Sequence, residues 1–140
     1  RLVRRVAPKH DAYQSSPLET QTIQSTIGHL LPQSREQVVP YAQDLGYKDL
    51  PLAGQQSYTL VRGRDTPQSP RGYLGRAGLY EVMDVTEEIQ NLIVKQATSA
   101  EIQRMAVQQG MITMRQDGYL KALSGITTLE EVNRVAADTA

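Results

Sequence analysis

The 140-residue sequence contains no cysteine, no tryptophan and no phenylalanine. The absence of cysteine excludes disulfide bonds and thiolate metal sites, and it is compatible with a reducing compartment such as the cytoplasm. Without Trp and Phe, the hydrophobic core must be built from Leu, Ile, Val, Ala, Met and Tyr. The composition therefore predicts one ordinary domain with a core of modest size.

The sequence also lacks an excess of charge, because 15 Lys and Arg residues balance 15 Asp and Glu residues. A neutral chain does not favour nucleic acid or another polyanion as its partner. No apolar run approaches the roughly 18 residues that a membrane span needs, and no segment is typical of a signal peptide. We expect a soluble chain without direct membrane insertion. Because it begins at Arg1 instead of Met, we expect it to be a fragment of a longer protein.

Catalytic motifs are missing as well. No phosphate-binding loop of the form G-x-x-x-x-G-K-[ST] occurs, and the sequence has only two histidines. A metal or catalytic centre would need both histidines, or one of them with carboxylates. The acid pairs Glu87-Glu88 and Glu130-Glu131 fall in the first turns of predicted helices, where negative charge favours the helix dipole. The sequence therefore predicts no catalytic residue and no metal site.

The glycine-rich stretch from Gly72 to Gly78 organises the predicted fold. Gly72, Gly75 and Gly78 recur at every third position, a spacing that is typical of tight turns or close chain approach. From Ala77 to Val85 apolar side chains occur at both odd and even positions, which predicts a strand that is covered on both faces. We therefore expect a core strand within residues 72–85.

A partner strand is predicted over Leu2 to Val6, because these residues favour β structure and Pro8 would remove a donor from the ladder. If the two strands pair, residues 7–71 form an inserted subdomain between them. Most of residues 48–71 are rich in Pro, Gly, Gln and Ser, and only Ser57 to Val61 has strand propensity. This region is expected to form a small hairpin or a mobile loop.

Two helices are predicted inside the insert. Ser16, Pro17 and Glu19 combine a capping serine, a proline at the first helical position and a glutamate three residues after the cap. A second helix is expected to end at Gly46, and Pro40 predicts that it is short or broken.

The C-terminal third, residues 86–140, carries a series of helix caps that begins with Thr86. Three further threonines each precede an acid or an amide by three residues, namely Thr98 with Glu101, Thr113 with Gln116 and Thr128 with Glu131. Gly110 and Gly125 stand where C-terminal caps belong. The pattern predicts four short helices in a small bundle, with Gly118 either allowing close packing or bending the third helix.

Arginines are the candidate binding residues. Arg1, Arg4 and Arg5 form a short basic cluster, which is either a solvated face or a site for phosphate or an acidic neighbour. Arg76 lies at a glycine-flanked strand entrance, where a guanidinium has access for a bidentate carboxylate or phosphate partner. A structural ion pair is the alternative for Arg76.

Several short runs of the sequence match, in order, the motifs of one known family. Residues 1–6 read RLVRRV and residues 72–81 read GYLGRAGLYE. The first run resembles the R-L-V-R-R-L segment, and the second the G-Y-x-G-R-x-G-I-Y-E signature, of the motor ATPases of type II secretion and type IV pilus assembly. Residues 109–111, 117–118 and 125–132 complete the series, and only the insert between His10 and Arg71 is poorly matched. We expect a structural role for the motif residues Gly72, Gly75, Gly78, Tyr80, Glu81, Gly110, Gly125 and Thr128.

The resemblance implies an α+β fragment from the C-terminal part of a RecA-like α/β motor, downstream of its nucleotide-binding segments. Residues 1–6 would be the edge of the RecA-like core, 7–71 the insert, 72–85 a core strand and 86–140 a helical domain. The full-length protein would be a hexamer that uses ATP and Mg, lies in the cytoplasm peripheral to the inner membrane and binds inner-membrane platform proteins. The fragment itself should be inactive, and Arg76 should lie near the nucleotide side.

In many members of this family the insert carries a C-x-x-C pair at each end and binds zinc. In this sequence the pairs fall on Ala7 with His10 and on Asp65 with Gln68. Histidine and aspartate can ligate zinc, but alanine cannot and glutamine is a poor ligand, so the four-ligand site is lost. We therefore expect no zinc, and an insert that is held by its own helices.

The alternative from another functional class is a stand-alone helical adaptor. Such a protein would bind a partner through the exposed faces of its C-terminal helices, and it would fold as a free monomer without an ATPase domain. A Walker A motif encoded upstream of Arg1 would support the motor, whereas a stop or an unrelated domain would support the adaptor.

Overall fold

A computed structural model describes residues 1–137, so the last three residues of the predicted helical domain 86–140 lie outside the described residues. Its regular elements are β1 (Leu2–Val6), β2 (His10–Gln14), α1 (Pro17–Ile27), α2 (Arg35–Leu45), β3 (Thr59–Gly63), β4 (Tyr73–Gly78), α3 (Glu87–Val94), α4 (Ser99–Gln108), α5 (Met114–Leu123) and α6 (Leu129–Ala136). Short 3-10 turns cover Gly28–Leu30 and Pro70–Gly72. The predicted α+β class is confirmed. Within residues 1–137, none of the helices has the length and apolar character needed to cross a membrane.

The strands form two antiparallel pairs, β1 with β4 and β2 with β3. In the first pair Leu2 lies opposite Gly78 and Arg4 lies opposite Arg76. The predicted strand β1 and its pairing with the glycine-rich stretch are therefore confirmed. The sequence did not indicate β2, because four of its five residues are polar or aromatic (HDAYQ) and its burial is slight.

The prediction of a buried strand that extends to Val85 is wrong. The ladder with β1 ends where the Leu79 N–H donates to the Arg1 carbonyl, and no strand among residues 1–137 pairs with the segment that follows. Tyr80 and Val82 are 68% and 80% exposed, and Val85 is also exposed. Leu79 is still buried, but the apolar side chains from Tyr80 to Val85 are exposed in the described part of the chain.

The predicted caps in the insert are formed, but Pro40 does not break α2. The Ser16 hydroxyl accepts the Glu19 N–H and the Glu19 carboxylate accepts the Ser16 N–H, which completes a capping box at the start of α1. Helix α2 continues through Pro40 and ends at Gly46, which adopts a φ of 82°. Pro40 is exposed, so water can reach the carbonyl that loses its intrahelical donor.

The four C-terminal helices begin at the predicted threonines, but they form two pairs instead of one bundle. Helix α3 packs on α4, whereas α5 packs on α6 and also on α1 of the insert. One hydrophobic core therefore joins the insert to the C-terminal helices. Its buried residues include Ile23, Ile27 and Leu31 near α1, Leu60 on β3, and Tyr119, Leu120, Leu129 and Val132 on α5 and α6. The insert is thus held by α5 as well as by its own helices.

Two close approaches depend on the absence of a side chain. Gly118 on α5 lies against Val132 on α6, where an added Cβ would be 2.5 Å from Val132 Cγ1. Gly63 and Gly72 bring their backbones together so closely that a Cβ on either would clash with the main chain of the other. Gly72 also adopts a φ of 85°, which a residue with a Cβ rarely takes. Gly118 therefore allows close helix packing, and α5 runs continuously through it.

We predict that Gly118→Ala destabilises the chain by about 1 to 2 kcal/mol, because overpacking against Val132 outweighs the gain in helix propensity. Urea denaturation measures the change. Gly28→Ala is the matched control, because its Cβ would meet only the Gln24 Cβ at 3.9 Å. If overpacking is the cause, Gly118→Ala combined with Val132→Ala costs less than the sum of the single changes; an additive result would contradict this explanation.

Candidate functional site

A buried carboxylate attaches β1 to the start of α6. Glu131 is 1% exposed and accepts four hydrogen bonds. Two come from Arg4, through its main-chain N–H at 2.8 Å and its guanidinium at 2.6 Å, and two come from the Arg134 guanidinium at 2.9 Å each. The Thr127 hydroxyl also donates to the Arg4 carbonyl at 2.8 Å. Strand β1 and the start of α6 are therefore joined by directional polar contacts.

The charge state of Glu131 follows from these contacts. Burial alone would raise the pKa of its carboxyl, but hydrogen bonds from Arg134 and Arg4 outweigh burial and lower the pKa to about 2. The same pairing raises the pKa of both arginines.

Glu131 lies in the first turn of α6, as predicted, but its carboxylate does not complete a capping box with Thr128. The Thr128 hydroxyl accepts the Glu131 N–H at 3.1 Å, but the carboxylate turns to Arg4 instead of to the helix start. Its neighbour Glu130 remains exposed in the first turn, as predicted. The sequence carries a signal only for the local half of this cluster, since Glu131 and Arg134 have the i,i+3 spacing of helical ion pairs.

A second attachment joins the end of β4 to α5. Asp117 accepts the Tyr80 main-chain N–H at 2.9 Å and the Lys121 ammonium at 2.6 Å. The Lys121 nitrogen lies 5.5 Å from the centre of the Tyr80 ring. The ring folds back over Gly78, where an added Cβ would lie 2.6 Å from ring atoms. The i,i+4 spacing of Asp117 and Lys121 was the only sequence signal for this contact.

The exposed face of β4 carries the residue that the sequence singled out. Arg76 lies opposite Arg4 in the strand register and is exposed. No hydrogen bond or ion pair joins its side chain to another residue in the described range 1–137, and the same holds for Glu81. The structural ion pair considered for Arg76 is therefore not formed within this range.

The other motif residues hold turns and helix ends. Gly75 inside β4 has a φ of 79°, and Gly110 and Gly125 follow α4 and α5 with φ values of 101° and 79°. Thr128 caps α6, and its hydroxyl lies 2.7 Å from the hydroxyl of Tyr73 on β4. The predicted C-terminal caps are confirmed.

The two ends of the insert lie close together without forming a ligand cluster. His10 Nδ1 lies 3.1 Å from the Ala7 carbonyl, and the Asp65 carboxylate accepts the Arg71 N–H at 3.1 Å. Gln68 lies in a turn that is closed by a hydrogen bond between the hydroxyls of Thr66 and Ser69. Among residues 1–137, no group of three or more His, Asp or Glu residues could hold a metal ion. The absence of zinc stays a prediction.

We predict that Glu131→Gln lowers the free energy of unfolding at pH 7 by about 2 to 3 kcal/mol, because Arg4 and Arg134 lose a buried anion. The folded-state pKa of about 2 lies below the ordinary 4.5. The difference in the free energy of unfolding between wild type and variant therefore has its full value above about pH 4.5. It shrinks as pH falls toward 2. Chemical denaturation across this range measures it, with the exposed neighbour as control, Glu130→Gln. A difference that is independent of pH would contradict the ionic explanation.

Comparison with known proteins identifies the family. Residues 1–134 match the family described as Type II/IV secretion system protein. A relative from Xanthomonas campestris pv. campestris, Type II secretion system protein E, is 43% identical over 79 residues, which are 56% of this chain and 14% of that protein. Type IV pilus assembly ATPase PilB from Pseudomonas aeruginosa is 48% identical over 67 residues, 48% of this chain and 12% of that protein.

A third relative is PilB from Thermus thermophilus, which is 49% identical over 61 residues, 44% of this chain and 7% of that protein. The chain therefore spans only between 7% and 14% of the length of these three relatives. The family match, in contrast, extends over nearly all of the described residues. This chain belongs to the Type II/IV secretion system protein family.

Proposed function

We propose that this chain is the C-terminal part of a hexameric motor ATPase that powers type II protein secretion or type IV pilus assembly. In this proposal β1 and β4 continue the RecA-like core, and the C-terminal helices transmit nucleotide-driven motion. Family membership supports the proposal, as does the name ATPase that relatives such as PilB carry. Family membership also favours the motor over the stand-alone adaptor.

The observation that carries the proposal is the double attachment of one strand pair to one helix pair. Glu131 joins β1 to α6, and Asp117 joins the end of β4 to α5. The Glu131–Arg4 contact is an ion pair, and the Tyr80 N–H donates a charge-assisted hydrogen bond to Asp117. Because both contacts are directional, a displacement of the strands would be passed to α5 and α6 together. Helix α5 packs on both α6 and α1, so the insert would follow the same movement.

The chain by itself is proposed to be inactive, because it has no phosphate-binding loop. ATP and Mg would be bound by segments of the full-length protein that precede this chain. The partners would be other subunits of the hexamer and platform proteins of the inner membrane, which implies a cytoplasmic location at that membrane. The free guanidinium of Arg76 would meet a phosphate or an acidic residue of the motor core.

We predict that Asp117→Asn in the full-length protein uncouples ATP hydrolysis from transport. The change weakens the contacts to Tyr80 and Lys121 but leaves the nucleotide-binding segments intact. ATPase turnover should stay within about twofold of wild type, whereas secretion or pilus assembly in cells should fall at least about tenfold. Asp44→Asn, at an exposed position of α2, is the matched control. Equal losses of turnover and transport would argue against transmission.

We predict that Arg76→Lys in the full-length protein lowers ATPase turnover, because lysine keeps the charge but loses bidentate geometry. The melting temperature of the isolated 140-residue chain should change little, since the Arg76 side chain has no partner in the described range. Arg35→Lys provides a matched exposed control. If the isolated chain melts much earlier while turnover per folded molecule is normal, Arg76 is a structural residue instead.

A further inference from the structure

A cleft of about 320 Å³ lies where the insert meets β1 and α6. Four arginines from four different parts of the chain line it: Arg4 on β1, Arg62 on β3, Arg71 in the 3-10 turn before β4, and Arg134 on α6. The cleft adjoins the Glu131 attachment but extends beyond it, toward the insert. Residues that are far apart in sequence thus place four permanent positive charges around one small volume.

The carboxylates of the cleft do not satisfy all four arginines. Glu131 is fully engaged by Arg4 and Arg134, and Glu19 accepts the Ser16 N–H in the cap of α1. Neither Arg62 nor Arg71 forms an ion pair with any carboxylate in residues 1–137. Glu19 keeps its negative charge when it accepts an N–H, so four arginines and three glutamates (Glu19, Glu130 and Glu131) line the cleft. The lining therefore carries one net positive charge, and the guanidinium groups of Arg62 and Arg71 have no carboxylate partner in residues 1–137.

Aromatic rings hold two of the guanidinium groups in place. The Arg4 guanidinium lies 4.4 Å from the centre of the Tyr73 ring, and the Arg62 guanidinium lies 4.7 Å from the centre of the Tyr13 ring. Such stacking fixes the plane of the guanidinium while its N–H donors stay available at the edge. An anion that enters the cleft would therefore meet N–H donors that are already held in position.

The backbone determines where Arg71 lies in the cleft. Arg71 adopts a φ of 59°, a left-handed conformation that a residue with a Cβ rarely takes, and the Asp65 carboxylate accepts its N–H. The backbone thus keeps Arg71 at the cleft despite its strain.

We propose that this cleft binds a phosphate group. A phosphate carries up to two charges and three acceptor oxygens, so arginines on opposite walls can contact it together, whereas one carboxylate offers only two oxygens. The volume admits a phosphate with a small substituent. The bound group would connect the insert, through Arg62 and Arg71, to α6 through Arg134. This inference stands independently of the motor function.

The test measures the binding of sodium pyrophosphate to the 140-residue chain by calorimetry at low salt. Saturable binding is expected, and the double variant Arg62→Gln/Arg71→Gln should weaken it at least about tenfold. The matched control, Arg35→Gln/Arg104→Gln, removes two exposed arginines outside the cleft and should change affinity less than about threefold. Thermal unfolding verifies that every variant is folded.

Further titrations distinguish the sources of the phosphate. ADP without Mg and vesicles of phosphatidylglycerol or phosphatidylcholine are added to the same variants. Preference for ADP identifies a soluble ligand, and binding to phosphatidylglycerol vesicles alone identifies a lipid headgroup. Either result supports phosphate binding in the cleft if the double variant loses that binding. In parallel, NMR of the wild type should show saturable shifts of the Arg62 and Arg71 Nε–H signals. Absence of saturable binding by every probe, or equal losses in the control variant, would overturn the proposal.

Discussion

The buried carboxylate of Glu131 is the constraint on which the rest of this structure depends. Removing an ionised carboxylate from water costs several kcal/mol, and the cost is offset only if cations and N–H donors surround it in good geometry. Arg4 on β1 and Arg134 on α6 provide those donors. The strand and the helix are separated by more than 120 residues of sequence, yet the carboxylate fixes their distance and orientation. The pairing of β4 with β1 then places the glycine-rich motif against the same helices.

Glycines set how closely the remaining elements approach. Gly118 lets α5 lie against Val132, and Gly63 and Gly72 let the end of β3 meet the turn before β4. These contacts close the insert onto the C-terminal helices, so that α1, α5 and α6 share one core. The insert thereby has an attachment that does not require metal. In the same region, a hydrogen bond between the hydroxyls of Thr66 and Ser69 closes the turn over residues 66–69.

The exposed features of β4 have a different meaning. The Arg76 side chain has no hydrogen-bond or ion-pair partner within residues 1–137, and Val82 and Val85, on the segment that follows β4, are exposed. In a motor of which this chain is one part, such residues would face the preceding core, which agrees with the proposed function. The arginine cleft lies on the side of β1 that faces α6 and the insert, and its proposed phosphate would reinforce the joint between them.

Local features of this protein were determined by the sequence alone. The caps at Ser16, Thr98 and Thr113, the left-handed glycines after α4 and α5, and the strand Leu2–Val6 could be predicted because each depends on residues within one turn or one strand. The family resemblance was also confirmed, because its motifs are short runs that can be read directly from the sequence. Tertiary structure decided what depends on distant partners: the role of Glu131, the end of β4 and the pairing of the helices. Apolar residues do not reveal whether a covering layer exists, and an acid does not reveal whether a distant arginine will reach it.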